Sequence, residues 1–274
     1  MNTVRVMSKN AAYQKFEVLR TNRNKRYRYG EFLVEGVRNI NQAIRNGWQF
    51  TSLLYSPETP LSRWAQEVLD TVSCDMHYQL SANLMQELSG KTDTSELLAI
   101  LRMRPDDPAL LHDSPCPLYI LFDRPSNHGN LGSIIRSADA LGADGLILTG
   151  HGVDLYQPEV ITASMGSFFN LPAIRMADND TVFDWIARQR DLHPGFQVIG
   201  TTAHKQLNIT QVDFRLPTLL MIGNETEGLC RAFKEGCDLL ATIPMADTSS
   251  ASSFNVACAA TVMMYEVCRQ RAQE

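Results

Sequence analysis

The sequence predicts an α/β protein in two parts: a smaller mixed α/β region, then a domain built on a mostly parallel sheet flanked by helices. Three observations predict it. Short runs of β-branched residues and leucine alternate with helical segments through residues 117–274, the pattern of strands joined by crossover helices. The stretch RPDDPALLHDSPCP interrupts the chain near residues 105–117 with Pro and Asp, as a linker between domains does. A length of 274 residues, 44% hydrophobic and 20% charged, suffices for two folded cores and is unlike a disordered chain. The first part is assigned residues 1–107, the linker 108–116 and the second part 117–274.

The elements follow in order. GEFLVEGVRNINQAIRNG reads as a strand over 32–34 and a helix over 37–45 stopped by Gly47. TSLLYS gives a strand at 53–55, WAQEVLDTV a helix, and SANLMQELSG a helix ended by Gly90. ELLAILRM is a strand, with a helix as the alternative. In the second part PLYILFD is a buried strand. The segment SNHGNLGSIIRSADALGADG then starts a helix whose apolar face is Leu131, Ile134, Ile135, Ala138 and Leu141. Its opposite face carries Gly132, Ser133, Ala140 and Ala143 around a single arginine, Arg136, where a helix facing water would carry Lys and Glu. GLILTG, FQVIGTTA, TLLMIGNE and LLATIPM are further strands and TVFDWIARQR a further helix. The closing helix, SFNVACAATVMMYEVCRQ, is apolar nearly all round, so most of it is expected to be buried, Cys258 included.

In parallel sheets ligands bind beyond the carboxyl ends of the strands, which directs attention to the loops 124–130, 200–206, 223–229 and 244–252. The first supplies Asn127, His128 and Asn130, with Asn130 a candidate helix cap. The third, GNETEGL, gathers two glycines, Asn224, Glu225 and Glu227 at one strand end, where Gly223 and Gly228 allow sharp turns or close approach of a ligand. The fourth is serine-rich. Ser252 or Ser253 suits the cap of the last helix, which leaves Asn255, a polar residue at an apolar helix, unexplained. No dinucleotide fingerprint, Walker loop, CxxC pair or HExxH pattern occurs, so the six cysteines read as structural and no metal is expected.

The net charge is −5, yet residues 1–50 hold ten Lys/Arg against three Asp/Glu, while residues 111–274 hold eleven against eighteen. The basic run RTNRNKRYRYG places Arg20, Arg23, Lys25, Arg26 and Arg28 among Tyr27, Tyr29 and two asparagines. Cations attract phosphate, and aromatic and Arg planes stack on unpaired bases, so this run is assigned to RNA binding. No stretch is long and apolar enough for a membrane span, and the N-terminal residues lack a signal-peptide core; a cytoplasmic location and no membrane partner are expected.

Together, NHGNLGSIIRSADALGAD, LLMIGNETEGL and IPMADTSSASSFNVACAA resemble, in order and spacing, the three motifs of the SpoU (TrmH-like) RNA ribose methyltransferases of the SPOUT class. RYGEFLVEGVRNINQAIRNG is similar to the L30e-type RNA-binding domain that precedes the catalytic domain in many members. The resemblance implies an L30e-like domain over 1–107 and a SPOUT domain with a deep trefoil knot over 117–274. It also implies a bent S-adenosylmethionine held in the knot, a homodimer with composite active sites, and an RNA substrate, ribosomal RNA before transfer RNA. By matching positions, Asn130 and Arg136 fall in the first motif, Glu225 in the second, and Ser253 and Asn255 in the third. Cofactor contacts are implied at Thr201, Gly223, Ile243 and Phe254, the last standing where the motif usually has leucine. The family proposal makes the arginine the base, but a guanidinium stays protonated. Arg136 is therefore assigned to holding phosphate and aligning the 2′-hydroxyl, with phosphate, water or His128 left as the base. An RNA-binding protein without catalysis is the alternative from another class.

Overall fold

The computed structural model describes residues 2–89, 93–204 and 206–272; Gly90, the expected helix stop, and Lys205 in the second loop lie outside these. The chain forms two compact units. One comprises the chain up to Arg104 together with Asp154–Asn170, and the other Pro105–Val153 and everything from Leu171 onward. The sequence assigns residues 154–170 to the second part, but their contacts belong to the first unit.

In the first unit the order is β1 (Thr3–Val6), α1 (Ala11–Thr21), α2 (Arg23–Tyr29), β2 (Glu31–Glu35), α3 (Val37–Arg45), β3 (Phe50–Tyr55), α4 (Arg63–Thr71), β4 (Met76–Leu80), α5 (Ala82–Ser89) and β5 (Leu97–Arg102). The five strands lie in the order β1-β4-β3-β5-β2, with β5 antiparallel to both its neighbours. Leu33, Leu54, Leu98 and Ile100 from the sheet bury one face with Tyr13, Phe16 and Leu19 of α1 and Leu84, Met85 and Leu88 of α5. ELLAILRM is thus the strand β5. Most of the basic run forms α2: Asn22 accepts from Lys25 N and starts it, and Gly30, at φ +65°, ends it.

The second unit runs β6 (Leu118–Asp123), α6 (His128–Ala140) and β7 (Gly145–Thr149) before the excursion that carries α7 (Pro158–Ala163). It resumes with β8 (Ala173–Met176), α8 (Asn179–Leu192), β9 (Gln197–Thr201), β10 (Leu207–Asn208), β11 (Thr218–Ile222), α9 (Arg231–Gly236), β12 (Leu239–Thr242) and α10 (Val256–Arg271). Its seven strands, in the order β10-β12-β9-β11-β6-β7-β8, are all parallel. Tyr119, Leu121, Ile147, Val198, Leu219 and Met221 of the sheet share one core with Trp185 and Ile186 of α8 and Phe233 of α9. Helices α6 and α10 pack on each other, with Ser137 Oγ 2.7 Å from Thr261 Oγ1. Short side chains at Ala138, Ala257 and Ala260, all buried, fit that close pairing.

Two caps differ from expectation. Asn127, not Asn130, caps α6 by accepting from Asn130 N at 2.9 Å. Asn255, not Ser252 or Ser253, caps α10 by accepting from Ala257 N and Cys258 N. Cys258 is exposed rather than buried. One side of α10, including Cys258, Val262 and Tyr265, faces outward.

Candidate active site

Strands β12, β9, β11 and β6 are neighbours in a parallel sheet, so the loops following them emerge at one edge. Three of these loops are joined by side chains. The Glu225 carboxylate accepts from Ser126 N at 2.9 Å, Ser126 Oγ at 2.6 Å, Asn127 N at 3.0 Å and Asn130 Nδ2 at 3.3 Å. Asn130 Oδ1 in turn accepts from Asn255 Nδ2 at 3.1 Å. Asn255 uses its own Oδ1 to cap α10, so one side chain fixes a helix start and holds Asn130 together. Burial works against the charged form of Glu225, but the hydrogen bonds from Ser126 and Asn130 outweigh it and hold the carboxyl below its usual range.

Beside this network lies a cleft of about 230 Å³. Thr201, Gly223, Ile243 and Phe254 line it, with Glu225 and Ser253. Its walls are partly apolar, from Ile222, Leu229, Met245 and Met263, and partly polar, from Thr201, Thr202, Glu227 and Lys234. Gly223 is required by packing: a Cβ there would sit 2.2 Å from Leu229 N and 2.3 Å from the Gly228 carbonyl carbon. The loop thus closes on its own backbone and leaves bare main chain at the cleft.

Arg136 stands apart from the cleft lining. It is exposed on α6, and its side chain has no hydrogen bond or ion pair with the described residues. Ser133 and Ala140 beside it are also exposed, whereas Gly132 and Ala143 are buried.

The basic run needs one correction. Arg26 is fully buried. Its guanidinium donates to Asp154 Oδ2 at 2.8 Å, to Leu19 O at 2.9 Å and to Arg20 O at 3.0 Å, and also to Gln157 Oε1. It is a structural cation and not a contact for RNA. Arg20 is half-buried and donates to Glu87 O, Arg23 lies over the Tyr27 ring at 5.7 Å, Lys25 is half-buried, and Arg28 is exposed.

Sequence reasoning missed Ser126 as a partner of Glu225, Lys234 at the cleft, and Arg124, which binds the 223–229 loop. The serine had a usable signal, a short hydroxyl residue in a strand-end loop; the two cations had none. Among the described residues no group of three His, Cys, Asp or Glu could hold a metal ion.

Residues 117–265 match the SpoU rRNA methylase family, and residues 10–99 match the SpoU L30e-like domain. The chain belongs to the SpoU rRNA methylase family. Among similar SpoU-type proteins is the 23S rRNA (uridine(2479)-2′-O)-methyltransferase of Streptomyces viridochromogenes, 45% identical over 97% of this chain and 92% of the relative. The crystal structure of the SpoU methyltransferase AviRb from the same organism, in complex with AdoMet, superposes with a TM-score of 0.90 at 45% identity, covering 96% of this chain and 98% of that one. The AdoMet-bound rRNA methyltransferase from Sinorhizobium meliloti has a TM-score of 0.83 at 28% identity, covering 97% and 98%.

Proposed function

We propose that this SpoU methylase transfers a methyl group from S-adenosylmethionine to a ribose 2′-hydroxyl of ribosomal RNA, 23S rRNA first among candidates. The observation that carries the proposal is the hydrogen-bonded chain Glu225–Asn130–Asn255, which ties together one residue from each family motif beside a cleft of the expected composition. The substrate preference draws on the 23S rRNA relative, whose identity runs through both domains.

The residues present fit the cofactor. Bare backbone at Gly223, hydroxyls at Thr201 and Ser253, and apolar walls at Ile243 and Phe254 suit an adenosine. When bound, S-adenosylmethionine supplies a methyl on a sulfonium. Glu225 and Asn130 hold the loop edges in register. The exposed Arg136 fork binds the phosphate next to the target ribose and steadies the 2′-oxygen as its proton passes to phosphate, water or His128. Positioning of this kind supplies much of the rate in a displacement that needs in-line approach.

Arg136 lies away from its own chain's cleft lining, and the exposed side of α10 carries Val262 and Tyr265, 42% and 58% exposed. Both fit a homodimer in which one subunit's arginine serves its partner's cleft. The same reading takes from the family resemblance a deep trefoil knot around the cofactor and carries the expectation of a cytoplasmic setting. Mapping 2′-O-methyl positions in rRNA from cells with and without the gene tests the proposal. Loss of one site supports it; an unchanged rRNA pattern with a lost tRNA site redirects it to tRNA.

A further inference from the structure

Arg124, the residue after β6, has φ +51°, a left-handed conformation that side chains with a Cβ disfavour. Residues held in this way cluster where surrounding contacts over-determine them. Here both ends of the residue grip the loop 224–228. The Arg124 carbonyl accepts from Asn224 Nδ2 at 2.7 Å. Its guanidinium Nη2 donates to Gly228 O at 3.0 Å, and Nη1 pairs with Glu227. The loop has bonds of its own, since Asn224 and Gly228 exchange main-chain hydrogen bonds and Asn224 Oδ1 accepts from Thr226 N and Glu227 N, and Glu225 ties its middle to the loop before α6; Arg124 holds its two ends. Asp123 completes the grip, taking Arg124 Nε on its carboxylate and Cys230 N at 2.8 Å. The arginine stem packs on Gly150, where a Cβ would lie 2.5 Å from Arg124 Cγ.

We propose that Arg124 is a positioning residue for cofactor binding: its left-handed backbone aims carbonyl and guanidinium together at loop 224–228 and presets the cleft wall. Pre-ordering matters because a loose loop charges its ordering against affinity. The inference rests on the cleft being the S-adenosylmethionine site.

Glycine separates positioning from mere stability. Arg124→Gly accepts the left-handed φ without strain but removes the guanidinium, whereas Arg124→Ala removes the guanidinium and keeps the strain. Titration calorimetry with S-adenosylmethionine and thermal melts of the cofactor-free protein are run on wild type and on Arg124→Gly, Arg124→Ala and Arg124→Lys. The expected result is an Arg124→Gly protein that melts at or above Arg124→Ala, yet binds the cofactor roughly tenfold more weakly than wild type, as loss of a charge-assisted hydrogen bond implies. Arg124→Lys, which keeps the charge without the fork, is expected between the two. Wild-type affinity in Arg124→Gly overturns the proposal, as does a loss of affinity that only tracks the loss of melting temperature across the three variants. If Arg124→Gly does not fold, wild-type affinity in Arg124→Lys overturns it instead. No binding by wild type refutes the cofactor reading itself, a separate outcome.

Discussion

Glu225 accepts from four donors, three in the loop before α6 and Asn130 Nδ2 in its first turn, and a carboxylate is the side chain that can satisfy them all. In Glu225→Gln an amide N–H₂ faces N–H groups. Turnover is expected to fall roughly 10- to 100-fold, the worth of hydrogen bonds to a charged group, read as initial rate of methyl transfer at saturating cofactor. Because the folded carboxyl is held below its usual range, its contribution is complete above the unfolded value of about 4.3 and is lost as pH falls through the folded value. A melting-temperature profile from pH 7 downward is expected to show no loss from this group until below about pH 4.3 in wild type, and Glu225→Gln removes this group's share of that acid loss. Arg136 is the other decisive side chain. Arg136→Lys keeps the charge but not the bidentate fork; kcat/KM for RNA should drop about tenfold or more while cofactor affinity stays unchanged. A near-wild-type rate would remove both the clamp and the base from consideration. Asn130, Arg136, Glu225, Ser253 and Asn255 were singled out by the resemblance to the family motifs, and the structure adds the hydrogen bonds that join Glu225, Asn130 and Asn255. Their partners were harder to read: Ser126 and Arg124 act on residues about a hundred positions away, and only the serine, a short hydroxyl residue in a strand-end loop, carries a local signal.

Caps and buried charges set the behaviour of whole elements. Asn255 starts α10 and bonds Asn130. Asn255→Ala is expected to cost about 1 kcal/mol for the cap alone, a drop of about 2–4 °C in melting temperature, together with a larger fractional loss of activity because Asn130 loses a partner. The sequence pointed to serines for this cap since hydroxyls fill the approach to the helix; the chain turns into the helix only at Asn255. Helix α3 was readable at its observed bounds, because its apolar spacing and Gly47 are local signals. Helix α2 was not, since its run of cations has no apolar stripe; it is anchored by Arg26 on Asp154, 128 positions away. This divides the basic run experimentally. Arg26→Ala leaves Asp154 buried without its countercharge and should cost about 3–5 kcal/mol in chemical denaturation. Arg28→Ala should leave stability within about 0.5 kcal/mol while weakening RNA binding and flattening its salt dependence in filter-binding assays.

At the scale of the molecule, alternating strands and helices announced the parallel sheet. The return of Asp154–Asn170 to the first unit was hidden, because Tyr156, Phe168 and Phe169 look like ordinary core residues until they meet Phe32 and Trp48. The central claim is methyl transfer to a ribose oxygen of rRNA. It is tested most directly by incubating the purified protein with methyl-labelled S-adenosylmethionine and 23S rRNA, then hydrolysing the RNA in alkali. A 2′-O-methyl blocks the attack that cleaves the adjoining phosphodiester, so label is predicted in one alkali-resistant dinucleotide, and to vanish with Arg136→Ala. Label recovered in mononucleotides, which places the methyl on a base, or no transfer by a protein that binds the cofactor, would contradict the account.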